Sequence, residues 1–204
     1  LANNVLLVVA AAAVLLGTLY PLVIDALGMG KLSVGPPYFD AVFVPLMAPA
    51  LFLMGVGPMA RWRQASVGDL ARRLRWAMGV SVVSAVVAFF ALGRWTPMVG
   101  LGLALAAWVA STAVLNLVLR VREHPAPSIW KRLSMQPGSY FGMLLAHFGV
   151  AVFIVGVTVV SGFQSETDVR MEVGDTATVA GYTFRRDSVT QGRGPDYEAS
   201  RAGV

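Results

Sequence analysis

The stretch Tyr140–Ser161 reads YFGMLLAHFGVAVFIVGVTVVS. It holds no Asp, Glu, Lys or Arg, and a helix of about 20 apolar residues crosses the hydrocarbon core of a bilayer. The stretch is therefore expected to span a membrane. Four more blocks of this kind precede it. They run from Val5 to near Tyr20, stopped by Pro21, from Phe39 to Val56, bounded by Gly57-Pro58, from Trp76 to Leu92, and from Met98 to Leu119. Pro45 and Pro49 fall inside the second block. Each removes a helix hydrogen bond, so this span is expected to bend.

Composition agrees. Apolar residues make up 56% of the chain and charged residues 13%, about half the charge of a water-soluble domain. Mean hydropathy is +0.67. The net charge of +5 comes from basic residues placed between apolar blocks. There they set membrane topology rather than bind nucleic acid. Cysteine is absent, which excludes disulfides, thiol redox chemistry and thiolate metal sites. Leu1–Tyr20 lacks the basic start of a signal peptide. The chain opens on Leu1 and closes within a β-like pattern, so it reads as an internal fragment of a longer protein.

The basic residues predict orientation. Arg61, Arg63, Arg72, Arg73 and Arg75 lie between spans two and three. Arg120, Arg122, Lys131 and Arg132 lie between spans four and five. Both segments are expected in the cytoplasm. Lys31, against Asp25 and Asp40, and Arg94 mark the outer segments. The N-terminus is then cytoplasmic and the C-terminal segment extracytoplasmic. Ser66-Val67-Gly68-Asp69 resembles a capping box, opening a short basic helix at anionic lipid headgroups. Ser139, after Gln136-Pro137-Gly138, is expected to cap the fifth span.

After Ser161 the period changes. Val169, Met171 and Val173 alternate with Arg170 and Glu172, Gly174-Asp175 signals a turn, and Thr176, Thr178, Tyr182 and Phe184 favour strand. This predicts a hairpin in a β-rich segment. The expected fold is a mainly α, multi-pass membrane bundle of about five spans over residues 1–162. A small extracytoplasmic β-rich segment follows over 163–204.

His147 is the sharpest candidate for chemistry. An ionisable side chain roughly 10 Å along a spanning helix from Tyr140 is costly and marks a functional hypothesis. A neutral imidazole is a good axial ligand for haem iron. The plain alternative is a histidine hydrogen-bonded to a neighbouring helix. Gly142, Ala146, Gly149 and Gly156 form a stripe of small residues about a third of a turn away, suited to close helix approach. Asn116, in span four, lies at a similar predicted depth and is a candidate hydrogen-bond partner of the imidazole; ordinary interhelical bonding is the alternative. His124 sits in a proline-broken loop and reads as solvated. Pro36, Pro37, Tyr38 and Phe39 form an outward loop, read either as an aromatic-belt anchor or as a wall of an outward-facing site. Trp62, Trp76, Trp95, Trp108 and Trp130 mostly fall near span ends and read as belt residues. No P-loop, HExxH or nucleophile elbow occurs.

Five stretches, taken in order, carry a resemblance. They are Asn3–Val8 (NNVLLV), Gly17–Leu22 (GTLYPL), Val34–Phe39 (VGPPYF), Leu145–Ala151 (LAHFGVA) and Ser161–Glu166 (SGFQSE). Together they closely resemble the C-terminal half of CcmF, the haem lyase family of bacterial cytochrome c maturation, with its relative NrfE. The resemblance runs over nearly the whole chain. It implies an inner-membrane protein that receives haem from a haem chaperone and attaches it through thioethers to Cys-x-x-Cys-His motifs of apocytochrome c. It also implies a second, b-type haem held in the membrane by two histidines and supplied with electrons from quinol. His147 matches one of those ligands. Pro36, Pro37, Tyr38 and Phe39 would belong to the outward surface near the attachment site.

The family's tryptophan-rich motif, its flanking histidines, the second b-haem histidine and the last span are absent. This chain alone is therefore not expected to be an active lyase. Two other classes remain: a fragment of a secondary transporter, or a non-catalytic assembly subunit. Only the lyase reading predicts haem that depends on His147 and on a second chain.

Overall fold

The computed structural model describes residues 1–59, 67–91, 96–193 and 198–203. Its helices are α1 (Ala2–Ala26), α2 (Pro36–Val56), α3 (Val67–Ala91), α4 (Pro97–Arg122), α5 (Ile129–Ser134) and α6 (Gly138–Phe163). All but α5 are long and apolar enough to cross a membrane. The chain is thus a mainly helical, multi-pass membrane protein with a small β-rich segment. It divides into two compact units, Leu1–Gly162 and Phe163–Val204.

Within the first unit the spans alternate in direction, and α4 is the most covered by protein. α2 and α3 pack against α4, and α1 packs along α2. The core is where four helices meet: Leu51 of α2, Leu74 and Ala77 of α3, Trp108 and Val109 of α4, and Ala151 of α6. Thr96 caps α4 by accepting from the Val99 amide at 3.2 Å, and Pro97 opens its first turn.

Several boundaries differ from those the sequence suggests. α1 runs through Pro21 to Ala26. Leaving the helix in lipid would strand many backbone groups, whereas proline removes one bond. α2 begins at Pro36, so Pro36–Phe39 is a first helical turn rather than a loop. α3 is one helix that carries its basic turn directly into the span. Leu74, Ala77, Ser81 and Ala88 are all buried, on a single stripe continuous across Arg75-Trp76. Ser66, Arg61, Arg63, Trp62, Arg94 and Trp95 lie outside the described residues. α6 begins at Gly138, which places Ser139 inside the helix, not at its cap.

Trp108 is no belt residue. It is 2% exposed near the middle of α4. Its ring stacks on Phe52 of α2 with centroids 5.0 Å apart and planes 9° apart. Its indole N–H donates to the Phe52 carbonyl at 2.9 Å. Gly55 makes this approach possible: a Cβ there would lie 2.5 Å from Trp108 Nε1 and 2.8 Å from Thr112 Oγ1. Gly55→Ala is therefore expected to destabilise the α2–α4 contact by about 1–3 kcal/mol, the usual cost of overpacking. Thermal unfolding in detergent, followed by circular dichroism, checks this.

The second unit holds two antiparallel hairpins. β1 (Thr176–Val179) pairs with β2 (Tyr182–Arg185), and β3 (Ser188–Arg193) pairs with β4 (Glu198–Gly203). The β1–β2 turn is Ala180-Gly181, with φ of 53° and 85°, the double positive φ of a tight hairpin loop. It is not Gly174-Asp175. That pair does form a turn, ahead of β1: the Asp175 amide donates to the Glu172 carbonyl at 3.1 Å, and Asp175 Oδ2 accepts from the Glu172 amide at 2.7 Å. Residues 169–173 alternate in sequence but form no strand among the described residues.

Candidate functional site

The two histidines occupy opposite tautomers. On α6, His147 Nδ1 lies 2.8 Å from the carbonyl oxygen of Met143, one turn earlier. A carbonyl can only accept, so Nδ1 is the donor, and in the neutral ring the lone pair lies on Nε2. Nε2 has no hydrogen-bond partner among the described residues. In the 122–128 loop, His124 Nδ1 instead accepts the Ala126 amide at 3.2 Å. Its lone pair is thus used and its proton sits on Nε2. Only His147 offers an unused imidazole lone pair, held by a carbonyl that fixes both tautomer and ring. That donor set fits a haem iron as axial ligand.

His147 is half-buried, on the side of α6 that faces the bundle. Tyr140, Leu144 and Ala151 on this side are all buried. The small-residue stripe faces the other way: Cβ atoms built on Gly142, Gly149 and Gly156 would meet nothing within 4 Å. The imidazole therefore belongs to the packed face, and the glycine stripe is open.

Asn116 is not beside His147. Its Oδ1 accepts the Tyr140 hydroxyl at 2.9 Å, and its Nδ2 donates to the Pro58 carbonyl at 3.2 Å. The antiparallel alignment of α4 and α6 sets Asn116 opposite Tyr140 and brings Gly102 against Thr158. His147 lies seven residues from Tyr140, roughly 10 Å along the axis. Equal predicted depth counted from the helix ends overlooked this offset.

Tyr140 escaped sequence reasoning altogether. Besides Asn116, its ring receives the Arg120 guanidinium, 4.5 Å from the centroid, and Arg120 Nε donates to Gln136 Oε1. This lattice joins α4 to the start of α6. Tyr140→Phe keeps the ring and deletes one bond. It is expected to cost about 0.6 kcal/mol, the average for an interhelical hydrogen bond in a membrane. A small drop in midpoint temperature is the expected readout; Asn116→Ala, which also loses its bond to the Pro58 carbonyl, should drop it further, and adding Tyr140→Phe to that variant should change it little.

Tyr38 and Phe39 serve α1–α2 packing. The Tyr38 hydroxyl donates to the Ala13 carbonyl at 3.1 Å. A Cβ on Gly17 would lie 2.6 Å from Tyr38 Cε1 and 3.3 Å from Phe39 Cζ. Pro37 is exposed. This turn is 13 residues from Phe52, roughly 20 Å along α2 from the level of Trp108. The structure does not bring it to His147.

Known proteins share this fold. The model of the CcmF C-terminal β-sandwich matches residues 162–204, where the two hairpins lie. The cytochrome c-type biogenesis protein CcmF of Pseudomonas fluorescens is 41% identical over 100% of this chain and 30% of its own length. CcmF of Escherichia coli K12 is 38% identical over 100% of this chain and 30% of its own length. A solved structure of the cytochrome c haem lyase CcmF shares the fold, with a TM-score of 0.59 at 24% identity over 98% of this chain and 31% of that one. The chain spans about 30% of the length of these relatives. It belongs to the CcmF family of cytochrome c-type biogenesis proteins.

Proposed function

We propose that the chain works in cytochrome c maturation as a haem-handling part of a haem lyase, and that His147 is one axial ligand of a b-type haem within the membrane. The observation that carries this is the Nδ1 bond to Met143, which leaves Nε2 of the neutral ring as the nitrogen available to a metal. Membership of the CcmF family supplies the context. A haem bound there supplies one-electron transfer. His147 would hold it, Met143 fixes the ring, and the Tyr140–Asn116 lattice holds α6 against α4. The family's second b-haem histidine has no match in this chain, so a second ligand would come from another part of the protein.

The activity of the whole protein follows the family reading: covalent attachment of haem to Cys-x-x-Cys-His motifs of apocytochrome c. A haem chaperone, other maturation subunits and quinol would be its partners. The proposed location is the bacterial inner membrane. Arg72, Arg120, Arg122 and Lys131 share one end of the bundle, which supports a cytoplasmic assignment of that end and of the start of α1. In this reading the bundle, 1–162, crosses the membrane, and the β-rich segment, 163–204, is periplasmic. The Pro36–Phe39 turn would hold α1 to α2 at the outer end.

The test is a reduced-minus-oxidised absorption spectrum of the natural full-length protein in detergent. A b-type signal is expected. Its absence from folded protein would overturn the ligand reading.

A further inference from the structure

The corner between α4 and α6 contains a short helix that no feature of the haem reading requires. α5 is tied down by its own residues. Arg132 donates to the carbonyls of Val121, at 3.2 Å, and of Ala126. Gln136 Nε2 donates to the Arg132 carbonyl at 3.0 Å. These bonds fix α5 beside the end of α4 and place Lys131 and Arg122 one residue away from the bonded Arg132 and Val121. Arg73 of α3 reaches the same corner, 3.7 Å from Glu123.

Within this corner two basic side chains have no hydrogen-bond or ion-pair partner among the described residues: Arg122 and Lys131. Beside them are apolar side chains facing away from the protein. Ile129 is 63% exposed and Trp130 81%. In water this would be an apolar surface with nothing to cover it. At the end of a membrane bundle it lies where tryptophan prefers to be, at headgroup depth. Trp76 of α3, 70% exposed and under the Arg75 guanidinium at 5.4 Å, marks the same level. Excess positive charge next to acyl-facing aromatic and aliphatic side chains is complementary to one occupant, a lipid with a negatively charged headgroup.

We propose that the α4–α5 corner is a binding site for anionic phospholipid. Arg122 and Lys131 take the headgroup phosphate, and Ile129 and Trp130 lie against the acyl chains. The site stands on the membrane fold and does not depend on haem.

The full-length protein, delipidated in mild detergent, is titrated with phosphatidylglycerol or phosphatidylcholine, and retained lipid is counted by native mass spectrometry. Phosphatidylglycerol is expected to bind more tightly. A basic side chain near the surface is worth roughly fivefold in affinity, so Arg122→Gln with Lys131→Gln should weaken phosphatidylglycerol about 25-fold. Phosphatidylcholine should be unaffected, and Arg122→Lys with Lys131→Arg should retain the preference. If the double variant does not fold, Lys131→Gln alone carries the test, with a loss of roughly fivefold. Equal binding of the two lipids by the native protein overturns the proposal, and so does an unchanged preference in the folded Gln variant. Displacement of phosphatidylglycerol by equimolar inorganic phosphate also overturns it, because the site would then be one for soluble anions.

Discussion

His147→Ala is expected to abolish the b-type bands of the assembled protein while leaving the thermal unfolding of the haem-free protein almost unchanged. The two halves of this expectation have separate causes. The bands depend on the Nε2 lone pair, and alanine has none. The fold depends little on the imidazole, because its one hydrogen bond runs to Met143 in the same helix. That bond joins no two elements, and its loss should cost at most about 0.6 kcal/mol. Added imidazole should restore part of the signal by filling the space left by the ring. His124→Ala should leave the spectrum intact, since its Nδ1 is occupied by the Ala126 amide. Bands that survive His147→Ala would sink the assignment. Loss of the bands together with a large loss of stability in the haem-free protein would reassign His147 to packing.

Trp108→Ala should produce the largest loss of stability in the chain. The side chain is 2% exposed, stacks on Phe52 and donates across to the Phe52 carbonyl. Truncating a buried tryptophan costs about 3–5 kcal/mol. Lipid solvates apolar surface as well as protein does, so packing and the hydrogen bond dominate and the low end, about 3 kcal/mol, is expected. Trp108→Phe keeps a stacked ring but loses the indole donor, and should fall near 1 kcal/mol. Circular dichroism of the detergent-solubilised protein during heating reads both. A loss below that of Tyr140→Phe would show that α2 and α4 are held together elsewhere.

Five spans were legible because each is a long apolar run between polar breaks, and the bilayer demands little more. Their ends were less so. Pro21 and Pro36 look like stops on paper, yet one lies inside a helix and the other opens one. The reason is that lipid penalises unpaired backbone more than proline penalises helix. His147 was legible from its cost alone. Its neighbours were not, because the pairing of Asn116 with Tyr140 depends on how α4 and α6 slide past one another. No composition or periodicity encodes that offset. Trp108 could have been found: a tryptophan about eleven residues into an apolar run is too deep for a headgroup belt. The second hairpin stayed hidden because its strands, Ser188–Arg193 and Glu198–Gly203, are built mostly from small and polar residues.

α2 is gripped at two places by different neighbours. Near its start, Tyr38 and Phe39 lie over Gly17 of α1. Near its end, Phe52 and Gly55 are locked against Trp108. Between the grips, Pro45 and Pro49 withdraw the amide hydrogens that Ala41 and Pro45 would otherwise accept one turn apart. Two missing bonds in line along one side of a rod lower its bending stiffness there and nowhere else. Thermal energy therefore acts on α1 and the first half of α2 as on a lever hinged at mid-membrane, while the half of α2 locked to Trp108 stays still.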